Sequence, residues 1–142
     1  MLIQIKIKYK PGMLPIVQAH PGEWYDLRAE ERIEYHAGDC LRIGLGVAME
    51  LPAGFEAKIE PRSCTFSDYG LIWTSSGVID NRYNGDADWW GSSWYAVRDG
   101  VIEKNDRICQ FRVFRIQDEG EFTTVNFLNN CNRGGFGSTG RE

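Results

Sequence analysis

Residues 40–61 read "CLRIGLGVAMELPAGFEAKIEP", and this stretch decides the fold. Apolar and polar residues alternate along it, and Pro52 and Gly54 in "LPAG" supply turn geometry. The stretch therefore predicts two strands joined at that turn. Outward from it, residues 2–10, "LIQIKIKYK", place Ile3, Ile5, Ile7 and Tyr9 on one face and Gln4, Lys6 and Lys8 on the other, as a half-exposed strand does. Residues 107–116, "RICQFRVFRI", alternate again with Cys109, Phe111 and Val113 on one side. Clusters of Gly, Pro, Asn and Asp punctuate these runs. No window longer than about ten residues keeps a helical apolar stripe, although "TFSDYGLIW" (65–73) has room for a turn of helix. Many short strands between turns predict an all-β sandwich, barrel or jelly roll in one domain.

The chain has 142 residues, 42% of them hydrophobic and 25% charged, with a formal net charge of −4. That balance fits a globular body and gives no global field for nucleic acid or an anionic membrane. No apolar run approaches a membrane span, and the lysines interleaved at the start are unlike a signal peptide. Cys40, Cys64, Cys109 and Cys131 are widely separated without CxxC spacing, and the only histidines are His20 and His36. Free thiols in a reducing cytoplasm are the expectation.

Five stretches depart from strand patterning: "PGEWYDLRA" (21–29), "PRSCTFSDYG" (61–70), "GVIDNRYNGD" (77–86), "NDRICQF" (105–111) and the ending "NRGGFGSTGRE" (132–142). Together they supply arginines, hydroxyls, carboxylates, aromatics and backbone amides, the components of a nucleotide site. In the ending, glycine amides can converge on an anion and Arg133 adds a planar charged fork. Phe136, alone among flexible polar residues, suits a ring that covers a flat base. The ending thus reads as a lid that orders over a nucleotide.

In this order, the five stretches resemble the five motifs of the homotrimeric deoxyuridine triphosphatases (dUTPases), most like the phage and Gram-positive branch. The resemblance runs from about residue 17 to residue 140 of the chain. It implies a distorted jelly-roll β-barrel over residues 1–128 and a flexible C-terminal arm, 129–142, that closes the site. It implies Mg²⁺-dependent hydrolysis of dUTP to dUMP and pyrophosphate in a cytoplasmic homotrimer, which clears dUTP from the nucleotide pool and supplies dUMP for dTMP synthesis. Asp80 matches the carboxylate that activates water for attack on the α-phosphorus, and Tyr83 the ring that leaves no room for a 2′-hydroxyl. Gly77, Val78 and Ile79 match the backbone that pairs with uracil. Arg62, Ser63 and Cys64 match the phosphate grip, Gln110 a further phosphate contact, and Asp26 a carboxylate near the metal, through water. Arg133, Gly137, Ser138 and Thr139 match the phosphate-wrapping part of the arm, and Phe136 the ring stacked on uracil.

The chain also departs from the family pattern. Arg133 abuts Gly134 where the family has two more residues, Trp24 replaces a small residue before Tyr25 and Asp26, and Cys64 stands where Gly or Ser is common. Residues 86–97, "DADWWGSSWYAV", lie outside the motifs. Trp89 and Trp90 are assigned there either to packing, with Trp94, or to a lid over Tyr83 or Phe136. Asp39, Asp68, Asp99 and Asp106 read as turn or surface residues. The alternatives are a dCTP deaminase or bifunctional dCTP/dUTP relative, and a dUTPase-fold regulatory protein, although no motif indicates a protein partner.

Overall fold

The alternating stretches become short antiparallel strands that wrap one core. The computed structural model describes residues 2–137 and 140. β1 (Lys6–Tyr9) pairs with β5 (Val47–Glu50), and β3 (Ile33–Tyr35) with β10 (Gly100–Ile102). A three-stranded sheet runs β4 (Cys40–Gly44), β9 (Gly91–Ala96), β7 (Leu71–Trp73). The largest sheet runs β2 (Tyr25–Arg28), β11 (Arg107–Arg115), β6 (Phe55–Pro61), β8 (Val78–Ile79). The architecture is the expected all-β, jelly-roll-like one. Among the described residues no helix is long and apolar enough to cross a membrane.

Residues 40–61 form three strands rather than two. Gly46, at φ +65°, breaks the first run, and Met13 fills the space a side chain there would need. The chain changes sheets at this point: β4 pairs with β9, and β5 with β1. Leu45 through Met49 are all buried, so strict alternation fails where both faces are covered. At the start of the chain only Lys6–Tyr9 pairs, although Ile5, Ile7 and Tyr9 all pack on the core as the alternation requires. The expected turn of helix is α1 (Thr65–Tyr69), closed by Gly70 at φ +65°, whose amide donates to the Phe66 carbonyl at 2.7 Å.

The core centres on Leu27, Ile43, Leu45, Ile59, Ile108 and Phe111. Trp90 and Trp94 belong to it, each 1% exposed. Trp90 meets Phe111 edge-on at 5.1 Å between centroids, and Trp94 meets Trp73 at 5.0 Å. All four cysteines are free. β11 ends at Arg115, and residues 116–137 are exposed throughout, Phe122, Phe127 and Leu128 included.

Candidate active site

The "GVIDNRYNGD" stretch owes its shape to a glycine and a turn. Gly77 sits at φ +75°, and any Cβ there would overlap the Ile59 carbonyl oxygen. That close approach lets the Ile59 amide donate to the Gly77 carbonyl at 2.7 Å and docks β8 on β6. Asn81 then donates to the carbonyls of Pro52 and Phe55 at 2.9 and 2.8 Å, which pins the segment to the "LPAG" turn. The three-residue offset of Asp80 and Tyr83 is a turn in which the Tyr83 amide donates to the Asp80 carbonyl at 3.0 Å.

Asp80 and Tyr83 consequently line one cleft of about 260 Å³ together with Val78, Ile79, Trp89 and the edge of Trp90. The Asp80 carboxylate is exposed and has no hydrogen-bond or ion-pair partner among the described residues. Tyr83 donates its hydroxyl to the Trp89 carbonyl at 2.8 Å. Arg42, Ser75, Ser92 and Ser93 complete the lining, and sequence reasoning missed them. Arg42 on β4 lies opposite Ser93 on β9, a pairing that no local pattern reveals.

A second cleft, of about 580 Å³, gathers Asp26, Arg62, Ser63 and Gln110 with Trp24 and Arg112. Strand register does this: Asp26 on β2 lies opposite Gln110 on β11, which lies opposite Glu60 on β6, just before "PRSC". Asp26 bridges two guanidinium groups, with Arg62 Nε at 3.3 Å and Arg107 Nη1 at 3.2 Å. Arg62 also donates to the Arg107 carbonyl at 3.2 Å, and Gln110 to the Pro61 carbonyl at 3.0 Å. Cys64 is the N-cap residue of α1. Beside Gln110, burial pushes the Cys109 thiol up, so it stays neutral.

The loop at 61–64 is held from behind. Thr65 donates its hydroxyl to the Ile108 carbonyl at 2.9 Å and accepts from the Arg62 amide at 3.1 Å. At the far end of α1, Tyr69 donates to Asp106 Oδ2 at 3.1 Å, and the Tyr69 carbonyl accepts from the Tyr35 hydroxyl at 2.6 Å. Asp106 also accepts from the Glu103 amide at 2.9 Å, so it ties α1 to the turn before β11 rather than standing as a plain surface residue. Burial, then the Asp106 carboxylate, pushes the Tyr69 phenol up to about 12. A raised acid pKa in the folded state favours the protonated form. The stability it contributes is whole below the unfolded value of about 10 and is lost as pH rises through about 12. Thermal melts between those limits should therefore show wild type losing stability faster than Tyr69→Phe, which has no proton to lose there. Parallel loss in the two proteins would show that Tyr69 contributes nothing.

The two clefts do not merge within one chain. Three strand spacings separate β2 from β8, about 14 Å, and four residues of register separate the Asp26 row from the Asp80 row, about 13 Å more along the strands. The described part of the arm lines neither cleft: Phe136 is fully exposed at φ +50°, Gly137 follows at φ +84°, and Arg133 donates to the neighbouring Gly134 carbonyl at 3.5 Å. Ser138 and Thr139 lie outside the described residues.

Comparison with known proteins agrees with these motifs and this fold. The family model described as dUTPase matches residues 22–140. The chain is 46% identical to the SPbeta prophage-derived deoxyuridine 5′-triphosphate nucleotidohydrolase of Bacillus subtilis over 142 residues, covering 99% of this chain and 100% of that one. It is 32% identical to the deoxyuridine 5′-triphosphate nucleotidohydrolase of Helicobacter hepaticus, covering 99% and 89%. Among solved structures, the dUTPase of Staphylococcus bacteriophage 80alpha with dUpNHpp superposes with a TM-score of 0.79 at 20% identity, covering 97% and 99%. A dUTPase of phage phi11 of S. aureus, described with a structural Mg(II) ion, gives 0.72 at 16% identity, covering 89% and 99%. With the glycine-docked "GVID" turn, the "PRSC" loop and the strand order all in place, the chain belongs to the dUTPase family.

Proposed function

We propose that this chain is a dUTP diphosphatase, hydrolysing dUTP to dUMP and pyrophosphate. The observation that carries the reading is the turn that sets the unpartnered Asp80 carboxylate and the Tyr83 ring in one cleft. Asp80 orients a water and accepts its proton as the water oxygen bonds to the α-phosphorus. The bond from that phosphorus to the bridging oxygen breaks, and pyrophosphate leaves. The backbone of Gly77–Ile79 reads uracil, and Tyr83 closes the space a 2′-hydroxyl would need. Arg62, Ser63, the Cys64 amide and Gln110 hold the phosphates.

Magnesium fits this donor set as a companion of the substrate. No group of three His, Cys, Asp or Glu side chains could cage a metal among the described residues. Both Asp26 oxygens already face arginines, which leaves it suited to a contact through water. Bound through the phosphates, Mg²⁺ would supply charge neutralisation along the triphosphate.

The separation of the two clefts supports a homotrimer in which the Asp80 cleft of one subunit faces the Asp26 cleft of another. Over this composite site we place the arm, residues 129–142, with Phe136 on uracil and Arg133, Gly137, Ser138 and Thr139 at phosphate; residues 1–128 form the nucleotidohydrolase body, and the cytoplasm is its compartment. Pyrophosphate release by the purified chain is the test: turnover of dUTP, with dCTP left intact and no ammonia formed. Ammonia from dCTP would favour the deaminase reading, and binding of dUTP without turnover the regulatory one.

A further inference from the structure

The loop that carries Tyr83 is fixed to the body at both ends, by Asn81 on the "LPAG" turn and by Trp90, whose amide donates to the Val47 carbonyl at 2.8 Å. Between these anchors, residues 82–87 are exposed and their own bonds are local, such as the Gly85 amide to Asp88 Oδ2 at 2.8 Å. Only β1 and the residue after it reach across. Lys8 Nζ donates to the Asp86 carbonyl at 3.0 Å, lies 3.6 Å from the Asp86 carboxylate and stands 5.0 Å from the centroid of the Trp89 ring. Lys10 Nζ stands 5.1 Å from the same centroid while pairing with Glu30 at 2.8 Å. Apart from the bonds of Tyr83 and Asn84 to the preceding turn, these are, among the described residues, the only hydrogen bonds, ion pairs and cation–π contacts between residues 82–89 and the rest of the chain.

We infer that Lys8 and Lys10 are positioning residues for sugar discrimination, acting through the Asp86 carbonyl and the Trp89 ring on Tyr83. The inference rests on the proposed role of Tyr83. Alternation along the strand sends Lys8 and Lys10 to the same side, so both ammonium groups meet the half-buried indole, a favourable partner for a cation. Trp89 in turn offers its carbonyl to the Tyr83 hydroxyl. A ring that excludes one hydroxyl group must hold its place to a fraction of an ångström, and an exposed loop does so only when braced. The exposed part of the loop has this one brace.

The test compares kcat/KM for dUTP against UTP in wild type, K8M/K10M, K8R/K10R and Tyr83→Ala, with oligomer mass measured for each. The methionine pair should lower the discrimination ratio about tenfold at unchanged mass, since it removes two cation–π contacts, the charged hydrogen bond to the Asp86 carbonyl and the ion pairs of Lys8 with Asp86 and of Lys10 with Glu30. Most of the loss should come from better use of UTP. The arginine pair should restore the ratio, because guanidinium keeps the cation over the ring. Discrimination retained by K8M/K10M while Tyr83→Ala loses it would overturn the inference and leave Tyr83 standing. Discrimination retained by Tyr83→Ala itself would overturn the reading on which the inference rests.

Discussion

Asp80→Asn should lower dUTP turnover by about 10³-fold while a non-hydrolysable dUTP analogue binds within a few-fold of wild type, the usual span for removal of a general base. Asn keeps the shape and loses the basic oxygen. The Asp80 carboxylate is exposed and has no hydrogen-bond or ion-pair partner among the described residues, so the substitution disturbs no bond of the body. Turnover within tenfold of wild type would reject Asp80 as the base. The same variant also tests the composite site. Mixed one to one with Arg62→Ala chains and reassembled, it should recover about one quarter of wild-type activity, because random closed rings pair an intact Asp80 cleft with an intact Arg62 cleft that often. No recovery would place both clefts' work within one chain, against the separation set by strand register.

Truncation after Cys131 should reduce kcat/KM by about 10²- to 10⁴-fold, the combined worth of one stacked base and the lost charged contacts to phosphate. The melting temperature should hardly move. Residues 132–137 are exposed, and Phe136 leaves its whole ring in solvent. Kinetics near wild type would remove the arm from the mechanism. A collapse in melting temperature would recast it as a structural element. Phe136→Ala should reproduce part of the loss in binding and none of any change in assembly.

The motifs were legible because each is local. The left-handed turn at Gly77, the 80–83 turn and the short helix that follows Cys64 are decided within a few residues. What stayed hidden depends on sheet order. Nothing local says that Arg42 would line the Asp80 cleft, or that Asp26 would lie between Arg62 and Arg107. Nor does composition separate Trp89 from Trp90: neighbours in sequence, both reach the Asp80 cleft, yet Trp90 is buried in the core while Trp89 stays half-buried beside Lys8 and Lys10. The break at Gly46 was misread because a left-handed residue amid apolar neighbours leaves the alternation almost undisturbed.

The order of strands in the large sheet has a genetic consequence. In the ring proposed above, a chain lending its β8 edge to one neighbour and its β2 edge to the other would share its defects as well as its groups. In a cell making sound and damaged copies together, a subunit crippled at both edges would silence more sites than its own share. Inheritance of such an allele would then be partly dominant, whereas damage confined to one edge would be masked in proportion to dose.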